Sequence, residues 1–159
     1  MALSKFERMI QLVTEVFDVK NDPAQLDVGP EVIARLQEMH PSSLSEYNEG
    51  DGPAAWILLI PTTTVLMNEF ISGQITEQQL FDQTPVGASY EVVYLCSATV
   101  LPEYRSKGIA RQLAMDAINS MRQQHSIKAL FVWPFSEGGD TLAENIARSL
   151  SLPLLKKDA

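Results

Sequence analysis

One stretch constrains the fold of this chain more than any other: Ala88 to Leu113, ASYEVVYLCSATVLPEYRSKGIARQL. Residues 88 to 100 are rich in Val, Tyr and Thr and form the longest β pattern in the sequence. Pro102 then marks a turn, and from about Gly108 to Gln124 the pattern becomes helical. Ile109, Leu113, Ala117 and Met121 fall on one stripe, with Ala110, Ala114 and Ile118 beside it. The strand-to-helix junction carries Arg105, Lys107, Gly108 and Ala110. Gly108 and Ala110 have little or no side chain, so a ligand can approach the backbone closely. The first amides of a helix lack internal partners, and the helix dipole adds partial positive charge there. Arg105, Lys107 and Arg111 add full charges. Such a junction is built to hold an anion, and a phosphate or pyrophosphate is its natural guest.

The overall charge sharpens that reading. The formal net charge is -8, which argues against nucleic acid or an anionic membrane as partner. Three of the twelve basic residues nevertheless fall between Arg105 and Arg111. A local positive cluster in an acidic protein favours a specific anion site over general stickiness. Cys96 is the only cysteine, so neither an internal disulfide nor a cysteine-based zinc site is expected. His40 and His125 lie far apart with no metal-ligand spacing, so each is read as structural or solvated, and no metal is expected. The N-terminus lacks an apolar signal core and no run approaches a membrane span, which makes a cytoplasmic protein without membrane contact the expectation.

The rest of the chain reads as a single domain over residues 1–159. Ser4 and Glu7 form a capping box before a helix over about Lys5 to Phe17, followed by a loop over residues 18–29. Pro30 suits the first turn of a second helix, with Val32, Ile33, Leu36 and Met39 inward and Pro41 stopping it. SSLSEYNEGDGP, residues 42–53, is polar, has no period and reads as an exposed loop. Residues 54–61, AAWILLIP, read as a buried strand. Thr62 to Thr64 can cap a helix with Val65, Leu66, Phe70 and Ile71 inward and Gly73 near its end. Thr76 and Gln79 form another capping box before a short helix through Phe81. Because Thr and Val are β-formers, the region from Thr62 to Asp82 could instead contain a strand. A turn follows at Gln83 to Gly87. Beyond the junction helix come a strand at 129–135 and a loop at SEGG. A helix capped by Asp140 or Thr141 then runs to Leu150 with Leu142, Ala143, Ile146 and Ala147 inward, and a last strand lies at 152–155. Strand–helix–strand order implies parallel pairing through right-handed crossovers.

The second half resembles the GNAT superfamily of acyl-CoA-dependent N-acyltransferases. The family hallmark is valine-x-proline at a strand end, then Arg/Gln-x-x-Gly-x-Gly/Ala opening a helix. Here it reads Val100-Leu101-Pro102, then Arg105-Ser106-Lys107-Gly108-Ile109-Ala110, with Leu113 at the usual helix position. The resemblance covers Ala88 to roughly Leu155; the N-terminal half fits only loosely. It implies a GNAT-like α/β (α+β) fold: a mixed, mostly antiparallel central sheet with one parallel, splayed strand pair and helices on both faces. It further implies that amides from Arg105, Ser106, Lys107, Gly108, Ile109, Ala110 and Arg111 hold the pyrophosphate of acetyl-CoA, with Asn145 contacting the same ligand. The strand edge at Ala98, Thr99 and Val100 would pair with the pantetheine arm. The strands at 88–100 and 129–135 would splay around the thioester, and a primary amine would attack its carbonyl directly.

The resemblance also exposes departures. Relatives often carry a catalytic Glu on the strand before the signature; the neighbourhood here offers Glu91 as base and Tyr94 as a residue of the acceptor wedge. The alternatives are a surface carboxylate and a core tyrosine. On an ideal strand Tyr94, Cys96 and Ala98 share the face of Val100 and Glu91 lies opposite, unless a bulge changes the parity. The tyrosine that protonates the departing thiolate in relatives is replaced by Leu152; either solvent, Ser149, Ser151 or Tyr94 takes that role, or proton donation is dispensable because the CoA thiolate is a tolerable leaving group. Cys96 has no histidine near it in sequence and reads as a small hydrophobe. Trp56 and Trp133 read as core. The family normally places a strand before its first helix and a hairpin ahead of the signature strand. With one clear strand before Ala88, a shortened or rearranged sheet is expected here.

Three functions remain open at this level. The first is an enzyme moving an acetyl or other short acyl group from CoA to a small-molecule or peptide amine. The second is a non-catalytic acyl-CoA-binding sensor or assembly module. The third is an α/β domain that holds another phosphate at the same junction, although Arg105-x-x-Gly-x-Ala lacks the marks of a P-loop or dinucleotide fingerprint. An exposed edge strand could mediate a homodimer.

Overall fold

The computed structural model describes residues 30–49, 52–105, 107–133 and 137–157. The expected helix at Lys5 to Phe17 and its following loop lie outside them. Helix α1 runs Pro30–Met39, and a 3-10 turn, Pro41–Ser43, leads into strand β1, Leu44–Glu49. Strand β2 spans Gly52–Thr62, followed by helices α2, Thr64–Ile71, and α3, Glu77–Gln83. Strand β3, Val92–Val100, passes through a second 3-10 turn, Pro102–Tyr104, into helix α4, Ile109–Arg122. Strand β4, Ala129–Val132, helix α5, Glu137–Leu150, and strand β5, Leu154–Lys156, complete the order.

The five strands form one mixed sheet in sequence order, β1-β2-β3-β4-β5. The first two pairings are antiparallel and the last two parallel. The mixed α/β fold expected from the resemblance is therefore present, with its pairings evenly divided. The hairpin ahead of the signature strand is also present, which corrects two readings. The segment read as a loop at 42–53 contains β1, paired with β2 from Leu44↔Leu58 to Glu49↔Gly52. As an edge strand, β1 buries little, so its sequence carries no run of apolar residues. A bulge between Tyr47 and Asn48 further breaks its period. With β2, 11 residues long and the one clear strand expected ahead of Ala88, it makes the hairpin that was not expected.

Elsewhere the local chemistry explains the elements. Thr63 caps α2 by accepting from the Leu66 amide, and α2 turns Leu66, Met67 and Phe70 inward. Val65, expected inward, is 67% exposed, because those three residues fix the buried stripe and Val65 lies off it. Thr62, in the region that could have held a strand, is the last residue of β2. Thr76 and Gln79 close the capping box of α3 reciprocally. α5 begins at Glu137, so Gly138 and Gly139 lie in its first turn rather than in a loop. Asp140 is not its cap; with Glu144 one turn on, it holds the ammonium of Lys156 at 2.7 and 2.6 Å. β3 starts at Val92, four residues later than its sequence pattern; of residues 88–91 only Tyr90 is buried, its hydroxyl donating to the Pro85 carbonyl at 2.6 Å and its amide to His125 Nδ1 at 3.2 Å.

The core joins Leu36, Ile60, Phe70, Tyr94, Ile118, Met121, Leu130, Phe131 and Ile146, all 3% exposed or less. Phe70 meets Tyr94, Phe131 and Trp133 edge-on, while Tyr94 and Phe131 stack at 5.0 Å. Trp133 is core as expected. Trp56 is only half-buried, in a satellite cluster with Ala54 and Leu101, and its indole N–H donates to Glu46 at 3.0 Å.

The two histidines, remote in sequence, meet where α1, β3 and α4 converge, with ring centroids 6.2 Å apart. Each uses Nδ1 to accept a backbone N–H, His40 from Ser42 and His125 from Tyr90. This fixes the neutral tautomer with the proton on Nε2, so neither ring can offer a metal the remaining nitrogen without losing its bond. Burial pushes His40 below its ordinary pKa of 6.5, and the neighbouring His125 adds to the shift. Above 6.5 the ring is neutral in both folded and unfolded chains; below it the unfolded chain takes the proton first, so stability falls as the pH falls. The urea midpoint should therefore drop between pH 7.5 and 5.5, and drop less in His40→Asn; an equal drop in both proteins would refute this linkage.

Candidate functional site

The site begins where β3 and β4 part. Their parallel ladder runs Val92↔Ala129, Val93↔Leu130, Tyr94↔Phe131, Leu95↔Val132 and ends there. β3 continues for five more residues, paired on its other side with β2 alone. At that point the β2–β3 register steps from Leu59↔Leu95 to Leu58↔Ser97, which leaves Cys96 as the extra residue of a bulge. A bulge bends and twists its strand, so β3 turns away from β4 just as their pairing ends. It also changes the side-chain parity expected for an ideal strand.

Beyond the bulge, alternation decides which backbone groups face the opening. Leu101 N–H donates to Ala54 carbonyl oxygen at 2.9 Å, which makes Trp56↔Thr99 the next hydrogen-bonded pair in the antiparallel ladder. The amide and carbonyl of Thr99 are therefore turned to β2. Those of Ala98 and Val100 point the other way, into the split. Of the three residues expected to offer an edge, two present their backbones there. Arg105 reaches back to the same wall: its Nε–H donates to the Val100 carbonyl at 3.0 Å.

The other end of the site is the start of α4. Gly108 is its N-cap at φ 75°, ψ 11°, the left-handed conformation that favours glycine, and no side chain caps the helix. The first internal bond runs from Gln112 N–H to Gly108 carbonyl oxygen. The amides of Gly108, Ile109, Ala110 and Arg111 thus have no helical partner and converge on one side with the positive end of the dipole. Arg105, Lys107, Gly108 and Arg111 are exposed, and Ile109 and Ala110 half-buried. Lys107 lies over the Tyr104 ring at 5.7 Å. Ser106 lies outside the described residues. Asn145 is half-buried on α5. The strand edge and the helix start are joined by only the short turn from Leu101 to Gly108, so a ligand with both hydrogen-bonding amides and phosphates can engage the two together. Among the described residues, no group of three or more His, Cys, Asp or Glu could hold a metal ion.

The catalytic candidates lie elsewhere. Glu91 precedes β3, about 13 Å along the strand from the point where the split opens. It is half-exposed, forms an ion pair with Lys128 at 3.3 Å and accepts from the Thr64 amide at 3.4 Å. That amide first, and the Lys128 ammonium second, hold its carboxyl below the ordinary carboxylate range. Glu91 is thus held by Lys128 and the Thr64 amide, ahead of the paired part of β3. Tyr94 is 1% exposed within the paired part of the sheet, and its hydroxyl donates to Glu77 at 2.5 Å. Burial pushes the phenol well above its usual pKa, and the Glu77 carboxylate adds to this. Tyr94 is thus a core tyrosine whose proton is already engaged. Ser149, Ser151 and Leu152 lie where α5 returns to β5, near the Leu130 end of β4 rather than the end that opens: Leu130 N–H donates to Pro153. Sequence reasoning missed Glu77, because an acidic residue in a helix's first turn normally signals only capping.

With that geometry in hand, comparison with known proteins defines the class. The sequence profile of the acetyltransferase (GNAT) family matches residues 10–141. The chain belongs to this family, whose members use acetyl-CoA. No curated protein matches it significantly. Among solved structures it is similar to Chaetomium thermophilum Naa20 in complex with a bisubstrate analogue, at 15% identity and a TM-score of 0.51. It is also similar to the NatB acetyltransferase complex bound to a bisubstrate inhibitor, at 14% identity and a TM-score of 0.46. Each alignment covers 81% of this chain and 60% of the other, so this chain spans well under the full length of either. At these identities the likeness concerns the fold.

Two glycines test the site. Gly87 and Gly108 are both in the left-handed region, at φ 82° and 75°, and a Cβ would meet nothing within 4 Å at either. Each substitution to Ala should cost about 1–2 kcal/mol of stability. Gly108→Glu, which also places a carboxylate at the anion site, should weaken acetyl-CoA binding at least tenfold by calorimetry, while Gly87→Ala should leave it within twofold. Equal effects would remove the assignment of the α4 start.

Proposed function

We propose that this protein transfers an acetyl or other short acyl group from acyl-CoA to a primary amine of a small molecule or peptide. The observation that carries the reading is the end of the β3–β4 ladder at Leu95↔Val132, directly ahead of an uncapped helix start. Two ligand features, a polar arm and a diphosphate, have matching partners in the chain. The Ala98 and Val100 backbones would pair with the arm, and the amides from Gly108 to Arg111, with Arg105 and Lys107, would hold the diphosphate. The ligand supplies an acyl group activated as a thioester. The chain orients that group in the split, and the backbone dipoles around it suit the charge that develops on the carbonyl oxygen.

Proton handling is left to water. Glu91 is committed to Lys128 and Thr64, and Tyr94 to Glu77, so neither stands at the split to take the amine's proton. Direct attack needs no acyl-enzyme, and Cys96 plays no covalent part. Acidic character, at net charge -8, would draw a cationic acceptor toward the protein. A cytoplasmic setting and a homodimer through an open sheet edge belong to the same proposal.

Thiol release measured with acetyl-CoA across a panel of primary amines tests it. The expected result is amine-dependent release with sequential kinetics, retained within threefold in Cys96→Ser. Tight CoA binding without release from any amine would instead favour the second reading, a binding module. That alternative draws on Leu152 in place of a proton donor and on the remote position of Glu91.

A further inference from the structure

Lys157 lies beside the end of the β3–β4 ladder, and the inference drawn from it rests on the acyl-CoA reading. Its backbone N–H donates to the Val132 carbonyl at 2.9 Å, continuing the β4–β5 pairing, and on its other side Val132 is the last rung that β4 shares with β3. Trp133 is the first residue past that rung. The Lys157 ammonium lies over the Trp133 ring at 5.5 Å and over the Phe70 ring at 5.6 Å, both within cation–π range. The rings themselves meet edge-on at 5.9 Å and are 7% and 0% exposed, so this two-sided aromatic seat is rigid. Beneath it ends α2. Gly73, just past that helix, has its missing Cβ position 4.0 Å from the Lys157 Nζ, so the cation also lies at the negative end of a helix dipole. The neighbouring lysine differs: Lys156 is held by Asp140 and Glu144 on α5.

We infer that Phe70 and Trp133 form a seat for a primary alkylammonium group at the mouth of the split, and that Lys157 occupies it in cis as an intramolecular acceptor. The acyl donor is an acyl-CoA thioester. The ammonium first releases a proton to water, since Lys157 is only half-buried and only the free amine attacks. The Nζ–carbon bond then forms and the thioester carbon–sulfur bond breaks. The second proton lost by nitrogen balances the one the thiolate takes up, and nothing is oxidised or reduced. The product carries a neutral amide in place of the cation, which ends the cation–π contacts and clears the seat for an external amine of the same type. Lys157 is thereby both a competitor for cationic acceptors and a modification site.

The test incubates the full chain with acetyl-CoA at pH 8 and maps acetyl-lysine by peptide mass spectrometry. Lys157 should be modified at least tenfold faster than Lys128, whose side chain is 60% exposed, at a first-order rate unchanged by tenfold dilution of the protein. Gly108→Glu should bring the two rates together, as should Trp133→Leu. Trp133→Phe, which keeps an aromatic face, should retain the preference within threefold and covers the case in which the leucine variant does not fold. Without any acetyl-CoA, Lys157→Gln should shift the Trp133 indole N–H resonance, and Lys156→Gln should not. Calorimetry on the same sample separates the two levels. Acetyl-CoA binding with Lys157 modified no faster than Lys128, or an unmoved indole resonance, overturns this inference alone. Absence of binding overturns it together with the acyl-CoA reading.

Discussion

The ladder between β3 and β4 stops after four rungs, and most of what this protein can do follows from that stop. A parallel pair that stayed in register would bury its edge groups completely and leave no room for a ligand. Here the extra residue at Cys96 bends β3 while β2 still holds it from the other side, so the strand leaves its neighbour without losing its place in the sheet. The backbone groups of Ala98 and Val100 are thereby turned to an opening rather than to a strand. Polar groups in such a position need partners, and a ligand bearing amides can supply them.

The same bend sets the direction of the turn into α4. Leu101 is fully buried and its amide is tied to Ala54, which fixes the exit of β3. Pro102–Tyr104 then makes one tight turn, and Gly108 takes the left-handed conformation that starts the helix without a side-chain cap. A chain that placed Asp, Ser or Thr at the N-cap would satisfy some of those amides internally. Glycine leaves them free for an external anion, and the basic residues around it lend the acidic protein a local positive field.

Much of this was legible in the sequence because it depends on local rules. The valine-to-proline strand end, the small residues at 108 and 110, and the helical stripe from Ile109 to Met121 each act within a few residues. So do the capping box of Thr76 and Gln79 and the threonines at 62–64, one of which, Thr63, caps α2. What escaped depends on long-range pairing. β1 has the composition of a loop and becomes a strand only because β2 lies beside it. The Cys96 bulge is invisible without the β2 register, yet it decides which of Ala98, Thr99 and Val100 faces the split. Glu91 and Tyr94 were candidates by sequence separation alone, whereas Lys128, Thr64 and Glu77, all distant in sequence, determine what they can do. The Phe70–Trp133–Lys157 cluster likewise joins three elements that no motif connects.

The central claim is that the β3 edge and the α4 start are two ends of one ligand site. The most direct measurement is an amide-resolved NMR titration of the full chain with CoA. The account predicts that Ala98, Val100 and the amides from Gly108 to Arg111 shift together with a single affinity, while Thr99 and Glu91 move little. Shifts confined to the Glu91 end of β3, or two groups of amides titrating with different affinities, would contradict it.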